Sequence, residues 1–319
     1  MTRYDALIAA SLSGDQVAVS KLLTVLAGGP PDELIASIGQ FLAGDGPALL
    51  APVIAVTGPA GAGKSTLVGA LASGWSSATT VGVLAVDPVD RRTGGAFLGD
   101  RIRIRPSGRY QGGAAVFLRS MRSAEDGGPL SDAAGAAVVL MHLAGMSPIM
   151  VETAGSGQAD AEICESVGGC LVFVTTPEGG DFIQAMKAGV LQRADVLVVN
   201  KADRPGAHAA MASLRTVLRR TSHKVHLIEA QAGDTEALAD LRGEIAKIAE
   251  AKRISGLDYW RRYMSGLLTS RATREVARLS ASDPDWRRIC DLVATGGLPL
   301  EDGLAKCLGL VSGRSPARR

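Results

Sequence analysis

A chain of 319 residues that is 46% apolar and 21% charged has the balance of a soluble globule able to bury a full core. It has room for one large α/β domain with helical additions, or for two modest domains. A net charge of +2 gives no case for nucleic acid or an acidic membrane as the main partner, and 4% aromatic residues leave few platforms for stacked bases.

Residues 5–42 predict two or three helices. Ala6, Leu7, Ala10 and Leu12 are followed by Val17, Val19, Leu22, Leu23 and Val25, with a break at Gly28-Gly29-Pro30-Pro31 before Leu34, Ile35, Ile38 and Leu42. Pro47 to Pro52 reads as a linker. From Val53 the pattern changes to short, β-branched, nearly uncharged runs, at Val53–Thr57, Val81–Val86, Ile149–Val151, Leu171–Val174, Val196–Val199 and Val225–Ile228. Such runs are what parallel strands covered on both faces look like. Helical stretches near Lys64–Ser73, Leu130–Ala144, Phe182–Gln192, Ala207–Arg220 and Glu236–Ala249 alternate with them, which predicts an α/β, mostly parallel, doubly wound sheet. Past Ala251 the strands stop. A long helix over 257–280, a break at Asp283-Pro284, and shorter helices over Trp286–Ala294 and Leu298–Leu308 are expected. The expected division is therefore a helical segment over 1–45, a nucleotide-binding domain over 46–250 and a helical segment over 251–319.

Gly58-Pro59-Ala60-Gly61-Ala62-Gly63-Lys64-Ser65 matches GxxxxGK[ST] and lies between a predicted strand and a predicted helix. Its glycines let backbone N–H groups converge on phosphate oxygens, and the helix N-terminus adds a favourable field. Lys64 is the expected bridge to the β- and γ-phosphates, Ser65 the expected Mg²⁺ ligand, and Thr66 completes the first turn. Asn200-Lys201-Ala202-Asp203 at a strand end matches NKxD. A carboxylate at Asp203 can accept hydrogen bonds from guanine N1 and its 2-amino group, which adenine lacks, so GTP and GDP are the expected nucleotides. Glu152-Thr153-Ala154-Gly155 supplies an acid facing the metal and a Gly155 N–H for the γ-phosphate. Asp87 and Asp100 are two further acids able to reach Mg²⁺ or order the loop between them.

Taken together, these residues resemble the MeaB/ArgK GTPases, a branch of the SIMIBI-type P-loop proteins. The resemblance rests on Leu84-Ala85-Val86-Asp87-Pro88, Arg92-Thr93-Gly94-Gly95, Leu98-Gly99-Asp100 and Val151 through Gln158. It extends to Ser13-Gly14-Asp15 and Ala294 through Pro299. It implies a homodimer that uses GTP to gate cofactor loading of an adenosylcobalamin-dependent acyl-CoA mutase and to protect that enzyme. Gln158 would orient the attacking water, with Lys64 and Asp87 beside it. Pro177, Gly180, Asp181, Gln184 and Lys187 resemble a third switch, though Gln184 and Lys187 equally suit the outer face of an amphipathic helix. Ala230 would offer its N–H to guanine O6. Four places depart from the family pattern: Ala154 and Ser156 in place of valines, Asp160 in place of Glu, Glu229 before Ala230, and a thinner basic and aromatic set in the C-terminal helices.

Two other classes share the loop. A nickel-insertion GTPase would carry His-rich or Cys motifs, and His142, His208, His223 and His226 have no such spacing. A kinase of amino-acid transport proteins fits poorly with a guanine-reading NKAD. Cys164, Cys170, Cys290 and Cys307 form no CxxC and are expected to be buried free thiols. The N-terminus has neither a basic n-region nor a long apolar run, and no stretch of 18 apolar residues occurs, so a cytoplasmic protein off the membrane is expected.

Overall fold

The computed structural model describes residues 2–29, 31–44, 49–75, 79–87, 115–122, 130–153, 155, 163–164, 166–178, 193–219, 225–231 and 234–312. Their central element is a seven-stranded, all-parallel sheet: β1 (Val53–Thr57), β2 (Val81–Asp87), β3 (Val116–Arg122), β4 (Ile149–Thr153), β5 (Cys170–Thr175), β6 (Val196–Asn200) and β7 (His226–Ala230). The order across the sheet is β3-β2-β4-β1-β5-β6-β7. The chain goes from β1 to β2 and β3 on one side, returns to insert β4 beside β1, and then winds outward the other way through β5, β6 and β7. The carboxyl end of β1 opens where the direction reverses, the place ligands bind in such sheets.

The sequence pattern follows from this geometry. β1, β4 and β6 are buried at every position, so both faces demand apolar residues and no alternation survives. On one face, the Lys64–Ser73 and Thr235–Ala251 helices pack Leu67, Leu71, Leu241 and Ile245 against Ile54, Val56, Val172 and Val174. Full burial of each such leucine or isoleucine contributes roughly 1.5–3 kcal/mol. On the other face, Met211 and Leu214 of the Ala207–Leu218 helix meet Phe173, Leu197 and Val199. The edge strand β3 was not anticipated. Phe117 and Met121 are buried while Leu118 and Arg119 between them are partly exposed, so its core-facing signal is diluted by polar positions.

Three helices precede the sheet: Asp5–Leu12, Gln16–Ala27 and Asp32–Ala43. Asp15 starts the second by accepting from the N–H groups of Val17 and Ala18 at 2.8 and 3.2 Å. These helices lie against the Leu130–Leu143 helix and β3, and Arg119 donates to Thr24 Oγ1. The expected helix over Phe182–Gln192 lies outside the described residues.

The chain forms two compact units, Met1–Tyr263 and Met264–Arg319, with the long Gly256–Ser282 helix running from one into the other. In the first unit that helix is anchored by hydroxyls: Tyr259 donates to the Gly135 carbonyl at 3.1 Å and Tyr263 to the Asp132 carbonyl at 2.7 Å. Gly135 must lack a side chain, since a Cβ there would stand 2.5 Å from the Tyr263 ring. Just upstream, Lys252 pairs with the Asp195 carboxylate at 2.6 Å, and Asp195 in turn accepts from the Leu171 N–H at 2.8 Å. The second unit contains a helical hairpin, Pro284–Ala294 and Leu300–Val311. Asp283 accepts from the Trp286 N–H at 2.9 Å and Pro284 occupies the first turn, so the Asp-Pro pair starts this helix as well as ending the previous one. Of the four cysteines, Cys164 and Cys170 are buried as expected. Cys290 is exposed and Cys307 half-buried, because both lie on a hairpin too thin to enclose them.

Candidate nucleotide-binding site

The loop between β1 and the Lys64–Ser73 helix has a shape that only glycine permits. Gly58 has φ 142°, and a Cβ there would stand 2.0 Å from the Val174 carbonyl of β5. Gly61 and Gly63 are left-handed, at φ 80° and 87°. Gly63 is also the residue from which the helix starts, and no side chain caps it. The helix field at that end favours an anion.

The carbonyls of the same loop are taken by lysine and asparagine nitrogens. Lys64 Nζ donates to Gly58 O at 2.8 Å and Pro59 O at 3.0 Å. Lys201 Nζ donates to Gly61 O at 2.8 Å, and Asn200 Nδ2 to Ala62 O at 2.8 Å. These donors fix the loop from its carbonyl side, and a glycine-rich loop held in this way can turn backbone N–H groups to a phosphate.

On the β4 side, Glu152 stands opposite Val56 in register and is 6% exposed. Ser65 Oγ donates to Glu152 Oε1 at 2.6 Å. A hydroxyl and a carboxylate in contact at the start of the helix make an all-oxygen donor set that fits a small hard cation such as Mg²⁺. Gly155 comes against the loop: with φ 93°, its Cβ position would be 2.4 Å from Gly58 O and 2.8 Å from Lys64 Nζ. Beneath these residues Thr153 Oγ1 donates to Thr57 Oγ1 at 2.9 Å, a link between strand ends that the sequence reading did not pick out.

On the β6 side, Asn200 is the buried last residue of the strand, and Lys201 follows in the left-handed region at φ 57°. That turn swings the lysine back over Gly61, and Ala202 N–H then donates to the Ala230 carbonyl at the end of β7, at 3.2 Å. Asn200 Oδ1 is buried and has no hydrogen-bond partner among the described residues. A buried acceptor of this kind is uncommon unless a ligand or water completes it. Asp203 is exposed in the turn after β6, while Ala230 at the end of β7 is buried. Arg204 Nη1 lies 3.3 Å from Glu178 Oε1, tying this loop to the segment after β5. Glu178's own N–H, with Arg204 adding, holds that carboxyl below the usual range. The pair was not anticipated, since nothing in the sequence spacing brings 178 to 204.

Pro59, Ala60 and Thr66 lie in the loop and first helical turn, and Asp87 is the last residue of β2. Asp100 and Gln158 lie outside the described residues, as do Ala154, Ser156, Asp160, Gly180, Asp181, Gln184 and Lys187. Among the described residues no group of three or more His, Cys, Asp or Glu side chains is placed to hold a metal. The Ser65–Glu152 pair is thus a partial donor set.

Comparison with known proteins now identifies the lineage. The sequence model described as methylmalonyl Co-A mutase-associated GTPase MeaB matches residues 42–278. The chain belongs to this family. A putative GTPase of Pyrococcus horikoshii is 40% identical over 209 residues, covering 65% of this chain and 63% of that protein. A probable GTPase of Mycobacterium bovis is 34% identical over 225 residues, covering 70% and 65%. A fused isobutyryl-CoA mutase of Paraburkholderia xenovorans is 40% identical over 173 residues, covering 53% of this chain and 14% of that protein. This MeaB-family chain therefore spans less than two thirds of the length of these relatives. A solved structure described as a LAO/AO transport system kinase has a TM-score of 0.63 at 20% identity, covering 98% of this chain and 99% of that one. At that identity the likeness concerns fold alone, the α/β P-loop architecture of SIMIBI type.

Proposed function

We propose that this MeaB-family protein binds GTP with Mg²⁺, hydrolyses it, and through that cycle serves an adenosylcobalamin-dependent acyl-CoA mutase. The observation that carries the mutase part is the fused isobutyryl-CoA mutase, in which a stretch 40% identical to this chain belongs to a mutase polypeptide. Asp203 of the NKAD sequence, whose carboxylate can accept from guanine N1 and its 2-amino group, supports guanine over adenine nucleotides.

In this reading the N–H groups of 58–66 and the Lys64 ammonium hold the phosphates. To do so, Lys64 leaves the Gly58 and Pro59 carbonyls for phosphate oxygens, exchanging neutral acceptors for charged ones. Ser65, Glu152, Asp87 and Asp100 are the residues assigned to Mg²⁺, which when bound neutralises charge on the phosphate oxygens. Asp203 reads the guanine edge, Ala230 offers its N–H to the base, and Asn200 and Lys201 keep that loop in register with the phosphate loop. Gly155 gives its N–H to the terminal phosphate and Gln158 positions the attacking water. Loss of the terminal phosphate removes the contact at Gly155, which frees the segment after β4 to change shape, and that change is the signal passed to the mutase. Cofactor gating and protection of the mutase are the consequences assigned to it.

A homodimer built through the C-terminal helices completes the reading. Leu300, Leu304 and Leu308, at helical spacing on one face, are 64%, 56% and 66% exposed, an apolar stripe of the kind a second copy would cover. Among the described residues no helix is long and apolar enough to cross a membrane, and a cytoplasmic site of action is part of the proposal.

The test is the GTP hydrolysis rate of the full chain, alone and with a purified adenosylcobalamin-dependent acyl-CoA mutase from the same cell. Stimulation that disappears in Lys64→Ala is expected. GTP binding without any effect of, or on, the mutase would remove the partner from the proposal while leaving the nucleotide site.

A further inference from the structure

We propose that Cys290 and Cys307 form a reversible intramolecular disulfide across the C-terminal helical hairpin, by exchange with a low-molecular-weight disulfide. Cys290 lies on the Pro284–Ala294 helix and Cys307 on the Leu300–Val311 helix, joined by the short connection 295–299. Helix axes usually pack about 8–10 Å apart, too far for most Cys pairs to meet the ~4.4–6.8 Å between α-carbons that a disulfide needs. Here Gly303 removes that obstacle. Its missing Cβ would stand 2.4 Å from Val293 Cγ2 and 3.8 Å from Ile289 Cγ2, so the two backbones approach at the level of residues 289–293. Cys307 is one turn on from Gly303 along the same helix face, and Cys290 is next to Ile289. Cys290 is near enough to Cys307 to act on its thiol.

The four cysteines divide by environment. Cys164 and Cys170 are buried, and burial pushes the Cys170 thiol up to about 12, so neither is open to exchange. Cys290 is exposed and reachable by a small disulfide. Cys307 is half-buried, and partial burial together with the neighbouring Cys290 raises its thiol above the ordinary value. Cys290 is therefore the entering nucleophile and Cys307 the resolving one.

The steps balance. Cys290 loses its proton and its thiolate attacks one sulfur of the small disulfide, forming a mixed disulfide and releasing one thiol, which takes up a proton. Cys307 then loses its proton and attacks the Cys290 sulfur, forming the Cys290–Cys307 bond and releasing the second thiol. Two cysteine thiols are oxidised and one small disulfide is reduced to two thiols. In a reducing compartment the bond would form only when small disulfides accumulate, and it would then fix the hairpin that carries the Leu300, Leu304 and Leu308 stripe.

The experiment incubates the full chain with oxidised glutathione, quenches with acid, alkylates, and maps thiols by peptide mass. The expected result is a fall from the four thiols of the sequence to two, with the peptides of Cys290 and Cys307 joined within one chain and separated by dithiothreitol. Cys307→Ser should instead accumulate glutathione on Cys290, and Cys290→Ser should keep all its thiols. Glutathione retained on Cys290 of the unsubstituted protein, a bond joining two chains, or an unchanged thiol count would each overturn the proposal. The mapping on the unsubstituted chain decides the matter even if a variant fails to fold.

Discussion

Substitution Asn200→Ala tests whether the base-reading loop holds the phosphate loop in shape. Asn200 Nδ2 donates to the Ala62 carbonyl at 2.8 Å in a buried setting, across 138 residues of sequence. Removing the amide leaves that carbonyl buried and unpaired, which costs roughly 1–3 kcal/mol. If the loop recovers the loss by relaxing away from its phosphate-binding shape, nucleotide affinity falls by roughly 5- to 150-fold. The decisive feature is which nucleotides suffer. A brace acts on the phosphate end, so guanosine, inosine and xanthosine diphosphates should all weaken by a similar factor. Asp203→Asn should instead weaken the guanine nucleotide and improve the xanthine one, because it changes the partner of the base edge. Fluorescence titration of the three diphosphates against both variants separates these outcomes. A loss in Asn200→Ala confined to the guanine nucleotide would show that Asn200 reads the base and is no brace. An unchanged affinity for all three would show that the Ala62 bond has no part in holding the loop.

Three further outcomes follow from the same geometry. Glu152→Gln removes the charge that Ser65 Oγ meets at 2.6 Å and should raise the Mg²⁺ concentration needed for GTP hydrolysis by roughly 10- to 100-fold, with Mg²⁺-free GDP binding retained; a Mg²⁺ titration of rate checks it. Gly155→Ala places a Cβ 2.4 Å from Gly58 O at φ 93°, where an L-residue already pays about 1–2 kcal/mol, and should weaken GTP more than GDP in paired binding measurements. His142 accepts from the Ala51 N–H at 2.8 Å, and burial, helped by the charge of Arg253, lowers its pKa from 6.5 to about 4. The unfolded chain binds this proton below 6.5 and the folded one does not. Stability is therefore full above that pH and declines towards pH 4, by about 3 kcal/mol from this residue. Urea unfolding at pH 7.5 and 4.5 should show that slope, and His142→Gln, which keeps an acceptor for Ala51, should flatten it.

The parts of the fold legible in the sequence are those where both faces of a strand are covered. β1, β4, β5 and β6 announce themselves because burial on two sides leaves only apolar choices. β3 does not, since an edge strand keeps Arg119 partly exposed and the pattern of one covered face is short and broken. The phosphate loop is legible for a different reason: Gly58, Gly61 and Gly63 are demanded by backbone angles and a close approach, so the motif reports geometry directly. What a motif cannot report is contact at long separation. The Thr57–Thr153 bond and the Glu178–Arg204 pair depend on sheet order, and sheet order is not written in any local run. The cysteines failed in the opposite way: a rule about thiols in cores was applied to Cys290 and Cys307, whose helices have no core around them.

The site also explains why β1 sits at the centre of the sheet. β4 on one side brings Glu152 and Gly155 to the loop, and β6, one strand beyond β5 on the other, brings Asn200 and Lys201. A β1 at the edge would have neighbours on one side only, and the loop could be braced or sensed but not both. Of the four loop carbonyls held by lysine and asparagine nitrogens, Gly61 and Ala62 are held from the β6 side, by Lys201 and Asn200, so that brace need not be broken for Lys64 to turn to a phosphate. Asymmetry then assigns the work. The β6 side uses a buried amide and a lysine on loop carbonyls, contacts that do not depend on the terminal phosphate. The β4 side uses a glycine pressed against the loop and a carboxylate on a hydroxyl, contacts that a terminal phosphate and a cation would rearrange. On the proposed reading, sensing of the nucleotide state is assigned to the β4 side, through Glu152 and Gly155, and recognition of the base to Asp203 after β6.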